Sequence, residues 1–375
     1  MEASGETGLS YQLCIMKMQS SKLLPFFYLL WVIVWTVLPA THASAQTRPR
    51  LGLQFIAGQP TLSLTGVVGT VYSIQYATNV ALPGVWVDRT LLQAQGNTNI
   101  WSDPSSPASP QRFYRAVSVA SPADTNLVFI QPGTFVMGSP LDEIERSTKE
   151  PQHTVTISRG FWMGKYPVTQ GQYQAVVGSN PSVFTAANGY TDNPNLPVES
   201  VSWNDATNYC ALRTQQERTA GFISTNLSYR LPTESEWEYA CRAGTTTAFY
   251  WGTNIVSEQA NFNGHYEYDS TTGTTFNMGG VYLETTTPVG SYEVNPWGLY
   301  DMSGNVWELC QDWSGTYPAG SVIDPQGPVS GSFRILRGGD WYDHGFYCRS
   351  ANRQTASQTF KFNNIGFRVV LSPNP

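Results

Sequence analysis

The sequence predicts an α+β protein with little regular structure, led by a small all-β sandwich module. Three observations predict it. Charged and aromatic side chains each make up 13% of the 375 residues, whereas charged residues usually supply about a quarter of a soluble domain. Period-two alternation marks the stretch from residue 50 to about 119. Beyond it, only two short segments carry a clear helix start. Composition excludes other classes. Twelve Trp, 20 Tyr and 17 Phe rule out a disordered chain. With 21 basic and 27 acidic side chains, the net charge is −6, and no basic stripe is present to hold nucleic acid.

The N-terminus reads as an address. Lys17 and Lys22 precede the apolar run Leu23–Leu38, and Ala43-Ser44-Ala45 follows it. This order marks residues 1–45 as a signal peptide, with Met16 or Met18 the more usual start. The run falls short of the roughly 20 residues of a membrane helix; a retained anchor is the alternative. The implied location is secreted, periplasmic or cell-surface, with no membrane span after cleavage. Cys210, Cys241, Cys310 and Cys348 then remain, and can pair in three ways. His153, His265 and His344 lie far apart, which argues against a histidine-rich metal centre.

Residues 46–120 form the expected β-sandwich module, a spacer or adhesive unit. Leu62 and Leu64 alternate with polar neighbours, as do Tyr72, Ile74 and Tyr76. Gly66, Gly69 and Pro83-Gly84 mark turns, while Trp86, Trp101, Phe113 and Tyr114 supply core bulk. Residues 121–126 read as a linker to a domain over 127–375. There, Leu127–Ile130 and Phe135–Met137 read as a hairpin about Pro132-Gly133, and Val155 and Ile157 continue the strands. Ser202 with Asp205, and Thr233 with Glu236, have capping-box spacing. The second start leads a helix with Trp237, Ala240 and Cys241 on one face and Gly244 at its end.

An ordered set of blocks resembles the formylglycine-generating-enzyme (sulfatase-modifying factor) family. They are Phe135-Val136-Met137-Gly138-Ser139, Pro167-Val168-Thr169, Val201-Ser202-Trp203, Arg230-Leu231-Pro232-Thr233-Glu234, Glu236-Trp237-Glu238-Tyr239-Ala240, Gly298-Leu299-Tyr300-Asp301-Met302, Arg337-Gly338-Gly339 and Gly366-Phe367-Arg368. The resemblance implies a C-type-lectin-like fold with a groove near the C-terminal loops. It also implies structural calcium at Gly304, Asn305, Val306 and Glu308, and a second site including Asn261 and Phe262. Calcium's preference for carboxylate and carbonyl oxygen suits the first segment. The alternative is a Glu308 that only caps backbone amides. Val281 to Glu284 matches the second site poorly.

Family oxidases hold copper(I) on a Cys-x4-Cys pair. Counted from Gly338-Gly339, that pair falls on Asp343 and Cys348, with His344 and Tyr347 between them. Counted back from Arg349-Ser350-Ala351-Asn352-Arg353, the loop is shorter, and Cys348 becomes a structural cysteine paired with Cys241 or Cys310. Either register leaves one thiol, whereas copper(I) prefers paired thiolates. The resemblance therefore implies a noncatalytic binding or scaffold domain. One alternative is a copper-dependent oxidase that uses Cys348, His344 and Tyr347 on exported sulfatases.

The second alternative is a ligand-binding loop. Asp340, Trp341, Tyr342, Asp343 and Phe346 combine rigid aromatic area with adaptable polar groups, as paratopes do. Such a loop would take a protein or a small molecule in the groove. It resembles variable regions of retroelement-diversified lectin-fold proteins, because Asp, Tyr, His, Gly and Phe are all reachable from an AAC codon by changes at adenine.

Overall fold

The computed structural model describes residues 12–15 and 49–374, except 82, 83, 85, 97 and 105–111. The apolar run Leu23–Leu38, the Ala43-Ser44-Ala45 site and Pro83 lie outside the described residues. Among the described residues, no helix is long and apolar enough to cross a membrane. The chain divides into one unit of residues 1–121 with 158–160, and a second of 122–157 with 161–375.

The first unit contains strands alone among its described elements. Arg50–Ile56, Gln59–Thr65 and Asn99–Ser102 make one antiparallel sheet. Val71–Ala77 lies between Val87–Gln93 and Phe113–Ser118 in another, and Gln12–Ile15 pairs with the outer edge of Phe113–Ser118. Alternation explains the shared core: Leu62, Leu64, Tyr72, Ile74, Trp101 and Tyr114 from both sheets pack together, all buried.

The second unit is α+β, with short strands and few helices. One sheet orders Leu227–Arg230, Val370–Pro373, Phe161–Gly164 and Leu127–Ile130; a second orders Val322–Ile323, His153–Ile157 and Gly133–Met137. The expected hairpin is thus not formed. Leu127–Ile130 pairs with Phe161–Gly164, and Gly133–Met137 with His153–Ile157. Pro132-Gly133 instead carries the chain from one sheet to the other. Non-local packing overrides the turn signal: Phe129 meets Trp162 edge-on at 5.2 Å, and Ile130 is buried.

Three helices complete the unit: α1 (Gln170–Val177), α2 (Trp203–Thr219) and α3 (Glu234–Arg242). Each begins with a full capping box, on Thr169/Gln172, Ser202/Asp205 and Thr233/Glu236. The first, Thr169-x-x-Gln172, has the same capping-box spacing as the other two and is a helix start missing from those expected from sequence. Helix α3 buries all nine residues, not only the Trp237 face. Its polar flank is neutralised internally: Glu238 accepts from Arg242 at 2.8 Å and also pairs with Arg337. Ala243 already turns left-handed at the helix end, ahead of Gly244.

Candidate functional site

The C-terminal loop is launched by two glycines that both need positive φ, +97° at Gly338 and +74° at Gly339. A Cβ on Gly338 would press on the Trp237 ring at 3.1 Å. Asp340 follows, wholly buried. Its Oδ1 accepts from the Tyr342 and Asp343 amides at 2.9 and 2.7 Å, folding the loop as an Asx turn. Its Oδ2 accepts from the Asn364 side chain. Burial, then the neighbouring Asp343 charge, pushes the Asp340 carboxyl up to about 8. Asp340 is therefore a loop former and not a ligand contact.

Trp341 is likewise packed inward. Its Nε1 donates to Asn363 O at 3.1 Å, and its ring meets Phe184 edge-on at 5.6 Å and stacks on Tyr282 at 6.4 Å. The outward face begins at Tyr342, which is 59% exposed. Asp343, His344, Phe346 and Tyr347 are half-buried. His344 stacks on Tyr266 at 3.8 Å, and Phe346 on Tyr347 at 3.9 Å. Burial lowers the His344 pKa, so its ring favours the neutral form. Phe276, Met278 and Val281 are exposed, and Phe276 lies 5.4 Å from Tyr266. The loop thus offers four aromatic side chains, Tyr342, His344, Phe346 and Tyr347, at its surface, with Asp340 and Trp341 withdrawn from the expected set.

Neither copper position suits copper. Asp343 accepts from Trp307 Nε1 at 2.9 Å, and its backbone carbonyl accepts from the Asn263 amide at 2.9 Å. Cys348 is fully buried among Phe249, Ile255, Ala260, Phe262 and Tyr268. Burial raises its thiol well above the ordinary value, so it stays protonated. The expected Cys348 pairing with Cys241 or Cys310 is not formed: Cys210, Cys241, Cys310 and Cys348 are each free and buried. Cys241 donates instead to Ser350 Oγ at 3.5 Å and Met302 O at 3.6 Å. Apolar packing and these weak contacts take the place of a bridge.

The calcium residues fit a cation only in part. Gly304, at φ +81°, crosses Asn261 so closely that a Cβ would meet Asn261 O at 2.4 Å. The Asn305 amide is spent: its Oδ1 accepts from Thr287 N at 3.0 Å and Asn261 Nδ2 at 3.2 Å, and its Nδ2 donates to Thr287 O. Val306 and Phe262 are buried core residues. Glu308 does not cap amides. It takes two bonds from Arg368 at 2.6 Å and one from Trp237 Nε1 at 2.7 Å. Asp301, three residues before Gly304, is the residue that sequence reasoning undervalued. Its Oδ2 accepts from Gly290 N at 2.7 Å, but its buried Oδ1 has no partner. Burial pushes this carboxyl up to about 6, with the Glu308 charge adding to the effect. Among the described residues, no group of three His, Cys, Asp or Glu side chains could hold a metal by itself.

Short strands, three capped helices and loops pinned by buried arginine–glutamate pairs define a domain of the sulfatase-modifying-factor type. The Sulfatase-modifying factor enzyme 1-like domain matches residues 115–373, and the chain belongs to that family. It is 40% identical over 195 residues to the formylglycine-generating enzyme of Streptomyces coelicolor, covering 49% of this chain and 55% of that one. The chain thus spans about half the length of that relative. It is 32% identical over 282 residues to the chaperone protein LppX of Paenibacillus barcinonensis, covering 66% of this chain and 89% of the relative. Among solved structures, Treponema denticola variable protein 1 aligns with a TM-score of 0.53 at 29% identity, over 66% of this chain and 95% of its own.

Proposed function

We propose that the family domain of this chain is a noncatalytic binding module whose ligand surface is the aromatic loop 342–347. One observation carries the reading: the loop holds a single thiol, Cys348, fully buried and without a second cysteine. Copper(I) needs accessible soft ligands, and a carboxylate at Asp343 is a hard one. The test is anaerobic copper(I) titration of the purified chain, followed by incubation of a Cys-x-Pro-x-Arg peptide with copper and oxygen. No stoichiometric Cys348-dependent copper binding and no formylglycine are expected; such binding would overturn the noncatalytic reading, and formylglycine would favour the oxidase alternative acting on exported sulfatases.

A second reading is favoured by the outward positions of Tyr342, Asp343, His344, Phe346 and Tyr347, and by the likeness to a protein named as variable. In it, the loop is diversified by a retroelement. Genomic sequence decides this: a reverse transcriptase nearby, with a second copy of the loop's DNA differing at adenines, is expected. Without both, diversification fails while the binding module stands.

Calcium in this reading takes the unpartnered Asp301 Oδ1 with backbone carbonyl oxygens of the Gly304–Val306 segment, donors of the kind calcium takes, while Glu308 stays with Arg368 and Trp237. Export through the N-terminal signal places the domain outside the cytoplasm, and N-terminal sequencing of the native protein tests that.

A further inference from the structure

We infer that a small organic cation occupies a second site, a cavity of about 350 Å³ beside the start of α3, with Asp312 as its counter-ion. The cavity is independent of the C-terminal loop. Its walls include Trp313, Tyr317, His153, Pro325 and Pro328, and Asp312 lies in its lining. A space of this size is at the small end of ligand sites.

Charge accounting selects the ligand. Glu234, also in the lining, is matched: Arg353 donates to its two oxygens at 2.8 and 2.7 Å, and the Tyr317 hydroxyl donates at 2.9 Å. Glu236 is matched by Arg230 at 2.6 and 2.7 Å. Asp312 receives the Glu234 amide at 2.8 Å, but the ion pairs formed among the described residues leave it out. Arg334 is close enough to feel its charge, yet it is held elsewhere. Its guanidinium lies between the Trp203 and Trp313 rings, 3.6 and 3.4 Å from their centres, and donates to Gln311 O. A carboxyl only 4% exposed, with two other acids near it, lacks a positive partner. Burial and those two acids push it up to about 8.

A cationic head beside Asp312 supplies that partner. The aromatic and proline walls suit a short apolar stem, and aromatic faces attract cations. An anion would find no free positive partner, since Arg353 in the lining is already held by Glu234. A neutral ligand would gain only a hydrogen bond from the acid, without the charge pairing.

The test titrates the full chain by calorimetry with n-butylammonium, n-butanol and butyrate at one ionic strength. Saturable butylammonium binding, at least tenfold tighter than butanol and with butyrate silent, is expected. Asp312→Asn keeps an acceptor for the Glu234 amide and should weaken butylammonium at least tenfold. Gln326→Trp, on the exposed rim, should block binding while leaving the unfolding midpoint unchanged. Equal binding of butanol would overturn the inference, as would unchanged affinity in a folded Asp312→Asn chain. So would binding of a capped Gly-Lys-Gly peptide without butylammonium, since the occupant would then be a peptide and not a free cation.

Discussion

Gly339 leaves the space that the Cys348 sulfur fills: a Cβ there would sit 2.6 Å from that sulfur and 3.0 Å from the Cys348 amide nitrogen. Both sides of the loop neck are therefore fixed by one residue without a side chain. Gly339→Ala should destabilise by about 2–3 kcal/mol, from the clash and from its positive φ. Urea unfolding measures it. In the native chain, Cys348 should resist iodoacetamide until urea opens the domain; rapid native labelling, read by mass spectrometry, would contradict its burial.

Neighbours in the loop should behave oppositely. Trp341 is 7% exposed and Tyr342 59%. Trp341→Ala should cost about 3–5 kcal/mol. Tyr342→Ala should stay within about 0.5 kcal/mol of the parent, because it removes only surface. Thermal unfolding of the two variants separates a packing residue from a free recognition residue.

Glu308 and Arg368 are both essentially inaccessible to solvent. Glu308→Gln leaves the guanidinium buried without its carboxylate, and should cost about 3–5 kcal/mol. Replacing both residues by apolar ones of similar volume should cost less than the single change. A double-mutant cycle by chemical denaturation reads the difference.

Calcium at Asp301 predicts that EGTA lowers the unfolding midpoint and that added calcium restores it, since a ligand bound only to the folded state stabilises it. Magnesium should restore less, being reluctant to shed water. An EGTA-insensitive midpoint would remove calcium from the site.

Stability should fall as pH rises from about 4 to about 8. The buried carboxyls of Asp340 and Asp312 are both pushed from 3.8 up to about 8. The folded chain therefore keeps protons that the unfolded chain has already released. Their contribution is complete below the unfolded value and is lost on the way to the folded one. Asp340→Asn, which cannot titrate, should flatten the slope in denaturant midpoints measured at pH 5 and pH 8.

Local signals were legible wherever the residues concerned act on their near neighbours. Ser202 and Asp205, or Thr233 and Glu236, close capping boxes within four residues. Leu62, Leu64, Tyr72 and Ile74 bury by alternation alone. The loop's single thiol was also readable by counting. What sequence could not supply was pairing at a distance. The Leu127–Ile130 strand finds its partner 30 residues on, past a turn that promised a nearer one. Asp340 and Trp341 looked like ligand contacts because the same residue types serve recognition and packing; only Asn364, Phe184 and Tyr282 show which role they take. The Glu308 bonds to Trp237 and Arg368, 71 and 60 residues away, left no local trace.

Arg349 meets Glu143 and Glu150 across 206 and 199 residues of chain. An acid made early in synthesis thus waits for a base made almost last. Until the ribosome has passed residue 349, the N-terminal part of the domain cannot bury those two carboxylates at an acceptable energy. The ion-pair cluster that closes this part of the domain is therefore completed only when the chain is nearly finished.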